Sequence, residues 1–346
     1  MIQTELVFID TPSKQKEALS RAASILRNGG LVAFPTETVY GLGGLATSDT
    51  AAKAIYEAKG RPSDNPLIIH IADPADAEDY AITSDAYYRL AEQFMPGPLT
   101  VILPKKDTIP YSVTGGLETV AVRCPSHPVA RALIREVGAP IAAPSANRSG
   151  RPSPTTAKHV TEDLFGRVAM IIDGGECEVG LESTIVALDG DKGTLLRPGA
   201  ITADALSCVC ETRVADTVLR ALAENERPLS PGMKYRHYAP RAALILLDGN
   251  DDDVTRFMAT EAENNAVGAL CYDEEITSMP KGATLFPVGA RQDLATQAKR
   301  LFAALREADE HEGLTTLYAH LPPQSGLGLA LYNRCIRAAA HTVKKI

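Results

Sequence analysis

The sequence predicts an α/β protein of two domains. Three observations carry this. The 346 residues exceed one ordinary domain. Short apolar runs bounded by proline and glycine alternate with stretches of helical period. Beyond a proline-rich interval at 225–241 a second, more regular alternation begins. In the first part strands and helices do not follow strict βαβ order, so its sheet should be mixed and twisted. The second part predicts a small open α/β unit with mainly parallel pairing. The expected division is a domain over 1–210, a linker over 211–241 and a domain over 242–346.

Taken in order, residues 13–28 should form a helix. Leu19, Ala22, Ala23 and Leu26 share one face, Ser13 can cap the start, and Gly29 with Gly30 stops it. The apolar run 31–34 reads as a buried strand. It leads into Pro35-Thr36-Glu37-Thr38-Val39-Tyr40 and the glycines 41, 43 and 44, which read as a loop of hydroxyls, one carboxylate and small turn residues. A helix over 47–59, capped by Ser48 or Asp49, ends on Lys59, Gly60 and Arg61, with Ser63 and Asn65 just beyond. Two cations beside hydroxyl and amide groups suit a nucleotide phosphate chain. Cations and glycine equally suit a helix C-terminus.

A strand is expected over 66–71 and a helix over 84–94, broken by Pro96-Gly97-Pro98. Strands follow at 99–103 and 119–123, then a helix at 126–137 capped by Ser126, and a strand at 139–143. The polar run 144–154 holds no regular structure, and strands at 168–172, 183–188 and 194–197 complete the first part. The interval 225–241 has prolines at 228, 231 and 240 and reads as a rigid connector. It carries Lys234, Tyr235, Arg236, His237 and Tyr238, where a plain spacer is glycine, serine or acid. Beyond it, strands are expected at 243–247, 266–272, 284–288 and 314–320, with helices at 252–263, 290–310 and 328–343.

Composition narrows the function. A net charge of −8 and 5% aromatic residues without tryptophan oppose base-stacking RNA recognition as the main task. Of the six cysteines only Cys208 and Cys210 lie close, with no second pair for a zinc site, so buried free thiols in a reducing cytoplasm are expected. No signal peptide or long apolar run points to a membrane. Gly41-Leu42-Gly43-Gly44-Leu45-Ala46 fits the loose dinucleotide fingerprint, but six residues separate it from the strand it should follow. There is no Walker-type lysine loop, no G-x-S-x-G elbow and no H-E-x-x-H pair. His70, near the end of an apolar strand, reads first as a hydrogen-bonded core residue, and Gly326-Leu327-Gly328 as tight packing or interdomain contact. What remains is a set of polar residues at strand ends, where ligands of open α/β sheets gather. These are Thr36, Thr38 and Tyr40; Lys59, Arg61, Ser63 and Asn65; Arg123; Ser145 and Asn147; and Arg197.

These residues carry a resemblance. Lys59-Gly60-Arg61-Pro62 with Ser145-Ala146-Asn147 resembles the split K-x-R…S-x-N signature of the YrdC-like family. The runs 35–42, 182–185 and 196–199 fit the same family in the same order, and 230–240 and 326–334 resemble the linker and C-terminal domain of its long form. The resemblance covers nearly the whole chain. It implies an N-terminal YrdC-like domain with an open concave cleft and a Rossmann-like C-terminal domain. It further implies synthesis of threonylcarbamoyl-AMP and pyrophosphate from L-threonine, bicarbonate and ATP, with magnesium carried by the nucleotide and no metal site of its own. Such a product begins threonylcarbamoyladenosine modification of tRNA, with a downstream tRNA threonylcarbamoyl transferase as acceptor.

By the same resemblance Lys59, Arg61, Ser145 and Asn147 are catalytic. Lys59, Ser63, Thr119, Ser145, Ser153, Arg197 and the linker residue Tyr235 would bind ATP, the linker folding over the site. Thr36, His70, Arg123 and Ser183 would bind threonine. The reading from a different class is an RNA-binding or assembly module whose basic loops hold RNA phosphates; the acidic net charge counts against it.

Overall fold

The computed structural model describes residues 2–9, 12–220, 228, 230, 237–263 and 266–346. Two compact units result. The first comprises Met1–Ser149, Ser153–Glu178 and Glu182–Lys234; the second comprises Gly150–Pro152, Val179–Leu181 and Tyr235–Ile346.

The first unit opens with β1 (Glu5–Phe8) and α1 (Pro12–Arg27), which buries Leu19, Ala22, Ala23 and Leu26 as its period requires. β2 (Val32–Phe34) and β3 (Gly41–Leu45) follow. α2 (Asp49–Lys59) starts on Ser48, whose hydroxyl accepts from Ala51 N at 3.2 Å, and stops on Gly60 at φ 61°. Next come β4 (Ile68–His70), α3 (Asp85–Phe94), β5 (Leu99–Pro104), α4 (Tyr111–Thr114) and β6 (Thr119–Arg123). α5 (Pro128–Val137), β7 (Ile141–Ala142), α6 (Ala157–Leu164) and β8 (Met170–Asp173) lead to β9 (Thr184–Asp189) and β10 (Lys192–Arg197). α7 (Ala203–Ser207) and β11 (Glu211–Val214) complete the set. The strands form one sheet in the order β1-β8-β2-β3-β7-β4-β6-β5-β9-β10-β11. Its pairing is mixed, as expected: β4 runs parallel to β6, while β5 runs antiparallel to β6.

The two-residue period of these strands positions the site. Ile69 of β4, Val120 and Val122 of β6, and Leu99, Val101 and Leu103 of β5 enter the main core. Their neighbours His70, Thr119, Arg123 and Thr100 therefore point to the other face. There a smaller apolar cluster of Ile68, Ile102, Ala121, Ile185 and Leu196 surrounds them.

Several expectations are corrected. The glycines 41, 43 and 44 lie in β3, a buried strand paired antiparallel to β2 and β7, and not in a loop. A Cβ on Gly43 would stand 2.8 Å from Ile141 Cγ2 and 2.9 Å from Phe34 Cε1, so glycine is there for close packing. His127, not Ser126, caps α5: its Nδ1 accepts from Val129 N at 3.2 Å, ahead of Pro128. Glu211–Val214, assigned by sequence to the start of the linker, is a strand parallel to β10. Most of the connector around Tyr235, namely 221–227, 229 and 231–236, lies outside the described residues.

The second unit contains β12 (Ala243–Asp248), α8 (Asp251–Glu261), β13 (Val267–Cys271), β14 (Thr284–Pro287), α9 (Leu294–Glu310), β15 (Thr316–His320), α10 (Gly328–Ala338) and β16 (Val343–Lys345). Their order is β14-β13-β15-β12-β16, and all pairs are parallel. The terminal helix is shorter than expected. Ala340 and His341 take positive φ, His341 N bonds Ile336 O at 2.8 Å, and the chain leaves as β16. At the C-terminal ends of β13 and β15, Glu275 meets His320 Nε2 at 2.7 Å and Arg291 Nη2 at 3.2 Å. Gly328 packs tightly, since a Cβ there would meet Pro323 Cγ at 2.5 Å. All six cysteines are free; five are buried and Cys208 is exposed. Among the described residues no helix is long and apolar enough to cross a membrane.

Candidate active site

Lys59 is the last residue of α2, and Gly60 in the left-handed conformation turns the chain directly behind it. That turn leaves the Lys59 side chain pointing inward, only 3% exposed. Its Nζ donates to the backbone carbonyls of Ser145 and Asn147 and lies 3.4 Å from Asn147 Oδ1. Ser145 Oγ also bonds Asn147 Oδ1, and Ser149 N bonds the Lys59 carbonyl at 2.9 Å. A buried ammonium is costly without acceptors, and this loop supplies them. The two halves of the split motif are thus one construction, with the lysine beneath the serine–asparagine loop. Arg61, half-buried, turns to the carbonyls of Asn65 (3.3 Å) and Pro66 (3.1 Å).

The 36–41 segment joins this loop to the sheet. Ala146 N bonds Tyr40 O at 2.8 Å, Leu42 N bonds Pro144 O at 2.8 Å, and Tyr40 N bonds Pro154 O at 2.9 Å. Thr36 Oγ1 organises the turn: it donates to Val39 O at 2.6 Å, contacts Thr38 Oγ1 at 2.9 Å and accepts from the Thr38 and Val39 amides. Glu37 is thereby directed at Arg123. Its Oε1 lies 2.7 Å from Arg123 Nη2, with both side chains 5% exposed.

Arg123 is flanked on both sides. His70 is its register partner on β4 and Thr100 its register partner on β5, so three side chains stand in a row on one face. Burial first, then the Arg123 charge, pushes the His70 pKa down to about 3, against the effect of the Ile68 and Ile141 carbonyls. The ring is therefore neutral at physiological pH. Its Nδ1 has no direct hydrogen-bond partner by distance and angle among the described residues. Glu37 Oε2 and Arg123 Nε are likewise buried without a partner there.

Thr100 Oγ1 contacts Ser183 Oγ at 2.7 Å, and Arg197 donates to the Ser183 carbonyl at 3.0 Å and to its hydroxyl at 3.1 Å. A register shift between Leu195 and Arg197 in the β9–β10 pair lets Arg197 turn this way. Ser153 donates to Glu182, the neighbour of Ser183.

The structure therefore gathers Thr36, Lys59, His70, Arg123, Ser145, Asn147, Ser183 and Arg197 through direct contacts, strand register or the 36–41 segment. Ser153 joins through Glu182. Ser63 is exposed in the turn after α2. Thr119 begins β6, four residues and so about 13 Å from Arg123 on the same face. Tyr235 lies outside the described residues. Sequence reasoning missed the parts played by Glu37, Thr100 and Glu182. The usable signal at Thr100 was one polar residue inside an otherwise apolar strand; at Glu37 it was the one acid in a run of hydroxyls and apolar residues.

Comparison with known proteins places the whole chain in one family. Residues 24–199 match the family of Sua5, YciO and YrdC described as Telomere recombination, and residues 201–340 match the domain described as Threonylcarbamoyl-AMP synthase, C-terminal domain. The chain is 45% identical to the threonylcarbamoyl-AMP synthase of Bacillus subtilis, over 99% of each chain. It is 44% identical to that of Pyrococcus abyssi, over 94% of this chain and 95% of the relative. The crystal structure of P. abyssi Sua5 complexed with L-threonine superposes with a TM-score of 0.89 at 41% identity, covering 99% of both chains. The chain belongs to the YrdC-like family, in the long two-domain form whose members are named threonylcarbamoyl-AMP synthase.

Proposed function

We propose that the protein is a threonylcarbamoyl-AMP synthase: L-threonine, bicarbonate and ATP give L-threonylcarbamoyladenylate and pyrophosphate. The observation that carries this is the row His70–Arg123–Thr100 beside the loop held by Lys59. It puts groups suited to a small amino acid next to a basic, amide-rich loop suited to phosphates.

The chemistry is nucleotidyl transfer. A carbamate formed on the threonine amine attacks the α-phosphorus of ATP through oxygen; the bond to the bridging oxygen of the β-phosphate breaks, and its electron pair leaves with pyrophosphate. A carbamate oxygen is a weak nucleophile, so alignment and charge neutralisation are the main help required. Arg61 and Arg197, with the buried Lys59 charge, offset negative charge, and Ser145 and Asn147 orient ligand oxygens. Ser63, Thr119, Ser153 and Arg197 are proposed for ATP, and Tyr235 for ATP on the resemblance alone. Thr36, His70, Arg123 and Ser183 are proposed for threonine, with Arg123 on its carboxylate. The cations and neutral donors here suit phosphate oxygens better than a bare cation, so magnesium is proposed to arrive as MgATP.

The product is a labile mixed anhydride, and a downstream tRNA threonylcarbamoyl transferase in the cytoplasm is proposed to consume it. Purified protein given labelled ATP and bicarbonate should release pyrophosphate only when threonine is present. Release without threonine, or none at all together with tight tRNA binding, would favour the RNA-binding reading.

A further inference from the structure

Glu37 has no assigned part in the reaction proposed above, yet it stands at the centre of the orphaned polar atoms. Buried polar atoms without partners are rare in folded proteins. Here three have no direct partner among the described residues and occur together: Glu37 Oε2, Arg123 Nε and His70 Nδ1. Glu37 and Arg123 touch through the other carboxylate oxygen, and His70 and Arg123 are register partners. The set is an acceptor bearing negative charge, a donor bearing positive charge and a neutral ring. An amino-acid zwitterion presents the complement, with a carboxylate for the guanidinium and an ammonium for the free carboxylate oxygen.

An ammonium has no lone pair, so it must lose a proton before it can attack carbon. We propose that Glu37 receives the α-ammonium of the bound amino acid on Oε2 and takes that proton, making it the general base of carbamate formation. This rests on the synthase reading. Before substrate enters, Arg123 pairs with Glu37 through Oε1 alone, which leaves Oε2 for an incoming donor. When the substrate carboxylate engages Arg123, the guanidinium is shared between the two carboxylates. In a buried site, moving one proton from ammonium to carboxylate removes two charges at once. His70 is a poor alternative, because burial and Arg123 oppose its protonation.

The step balances. The ammonium gives one proton to Glu37, and the amine lone pair forms the N–C bond with bicarbonate. The C–OH bond breaks, and the hydroxide leaves as water with the second nitrogen proton. Carbamate, water and protonated Glu37 result, and Glu37 returns its proton to solvent.

The test is pyrophosphate release at saturating substrates as a function of pH, for wild type, Glu37→Gln and Glu37→Asp. The titratable groups facing Glu37 are Arg123, Cys124, His127 and Cys177, with His70 beyond Arg123. Burial raises both thiols, Cys124 to about 12, and lowers His127, so none of them creates an alkaline limb. Glu37→Gln should lower kcat about 100-fold or more near neutral pH and then recover roughly tenfold per pH unit as bulk base deprotonates the amine. ATP affinity should stay within about twofold, a split that a merely distorted site does not give. Glu37→Asp should fall between the two. A Glu37→Gln rate within about threefold of wild type, or a loss that does not recover with pH, overturns the proposal. If the glutamine variant does not fold, Glu37→Asp decides: a lowered rate with alkaline recovery supports the base, and a wild-type rate or a pH-flat loss overturns it. Wild-type protein without threonine-dependent release overturns the synthase reading itself, whereas active wild type beside active Glu37→Gln overturns only this step.

Discussion

Lys59 and Asn147 meet in the protein interior although 88 residues separate them in the chain, the ammonium donating to the asparagine carbonyl and lying 3.4 Å from its side-chain oxygen. The lysine is therefore both a charge beneath the site and the fastening of the loop that would hold ligand oxygens. Lys59→Ala removes one cation and strands the carbonyls of Ser145 and Asn147. Each unsatisfied buried acceptor costs about 1–3 kcal/mol, so a loss of roughly 3 kcal/mol is expected, with the fold retained. Turnover should fall below detection, because the loop is no longer held for alignment. Denaturant midpoints and threonine-dependent pyrophosphate release check the two parts separately.

The Arg123–Glu37 pair makes a second prediction. Removing one member of a buried ion pair leaves an uncompensated charge, at a typical cost of about 3–5 kcal/mol. Arg123→Met should therefore destabilise the first unit strongly. Adding Glu37→Met to it should restore part of the loss, because no lone carboxylate then remains inside. Urea denaturation of the two single variants and the double variant gives the coupling directly, and a double variant less stable than Arg123→Met would contradict it.

How much of this was legible beforehand depended on whether a feature is local. Arg123 was found because a cation closing an apolar strand is visible in five residues, and Ser48 and Gly60 because caps are written at helix ends. The strand through Gly41 and Gly43 was not legible, since a glycine signals a turn until Ile141 and Phe34 are seen filling its place. The joining of Lys59 to Ser145 and Asn147 came from family resemblance; spacing alone left Lys59 open between a phosphate group's partner and a helix stop. Glu37 was noticed only as one acid among hydroxyls, because its meaning lies in Arg123, 86 residues away. His70 was legible as buried, but its place beside Arg123 was not, because that register is set by strand pairing in space. Tyr235 falls outside the described residues, so its part rests on the resemblance.

Acid sensitivity is expected in the second unit. Burial alone would raise the Glu275 pKa, but hydrogen bonds from His320, Thr255 and the Tyr272 amide outweigh it and hold the carboxylate below its ordinary value of 4.5. The unfolded chain then binds the proton more readily than the folded one. The resulting stability is present above about pH 4.5 and is lost as pH falls through the lower folded value. The urea midpoint of the second unit should therefore drop as pH falls below about 4.5, and Glu275→Gln should flatten that limb. An unchanged acid limb in Glu275→Gln would assign the sensitivity elsewhere.

Thr100 offers a functional test at a residue that the strand pattern did not nominate. Its hydroxyl is 2.7 Å from Ser183 Oγ, which also receives the Arg197 guanidinium at 3.1 Å, and its Cα is the register partner of Arg123. Thr100→Val keeps the branched shape that suits β5 and deletes only the hydroxyl. Ser183, proposed for threonine, then keeps Arg197 but loses its contact with Thr100. One neutral hydrogen bond contributes about 0.5–1.5 kcal/mol, which corresponds to roughly a 2- to 12-fold rise in KM for threonine. The kcat should change little, because Thr100 is not among the groups proposed to act on the reacting amine or phosphate. Arg197 holds Ser183 and is itself proposed for ATP, so KM for ATP separates the alternatives. If ATP binding weakens as much as threonine binding, Thr100 acts through Arg197; if only threonine binding weakens, it acts through Ser183, as the geometry supports.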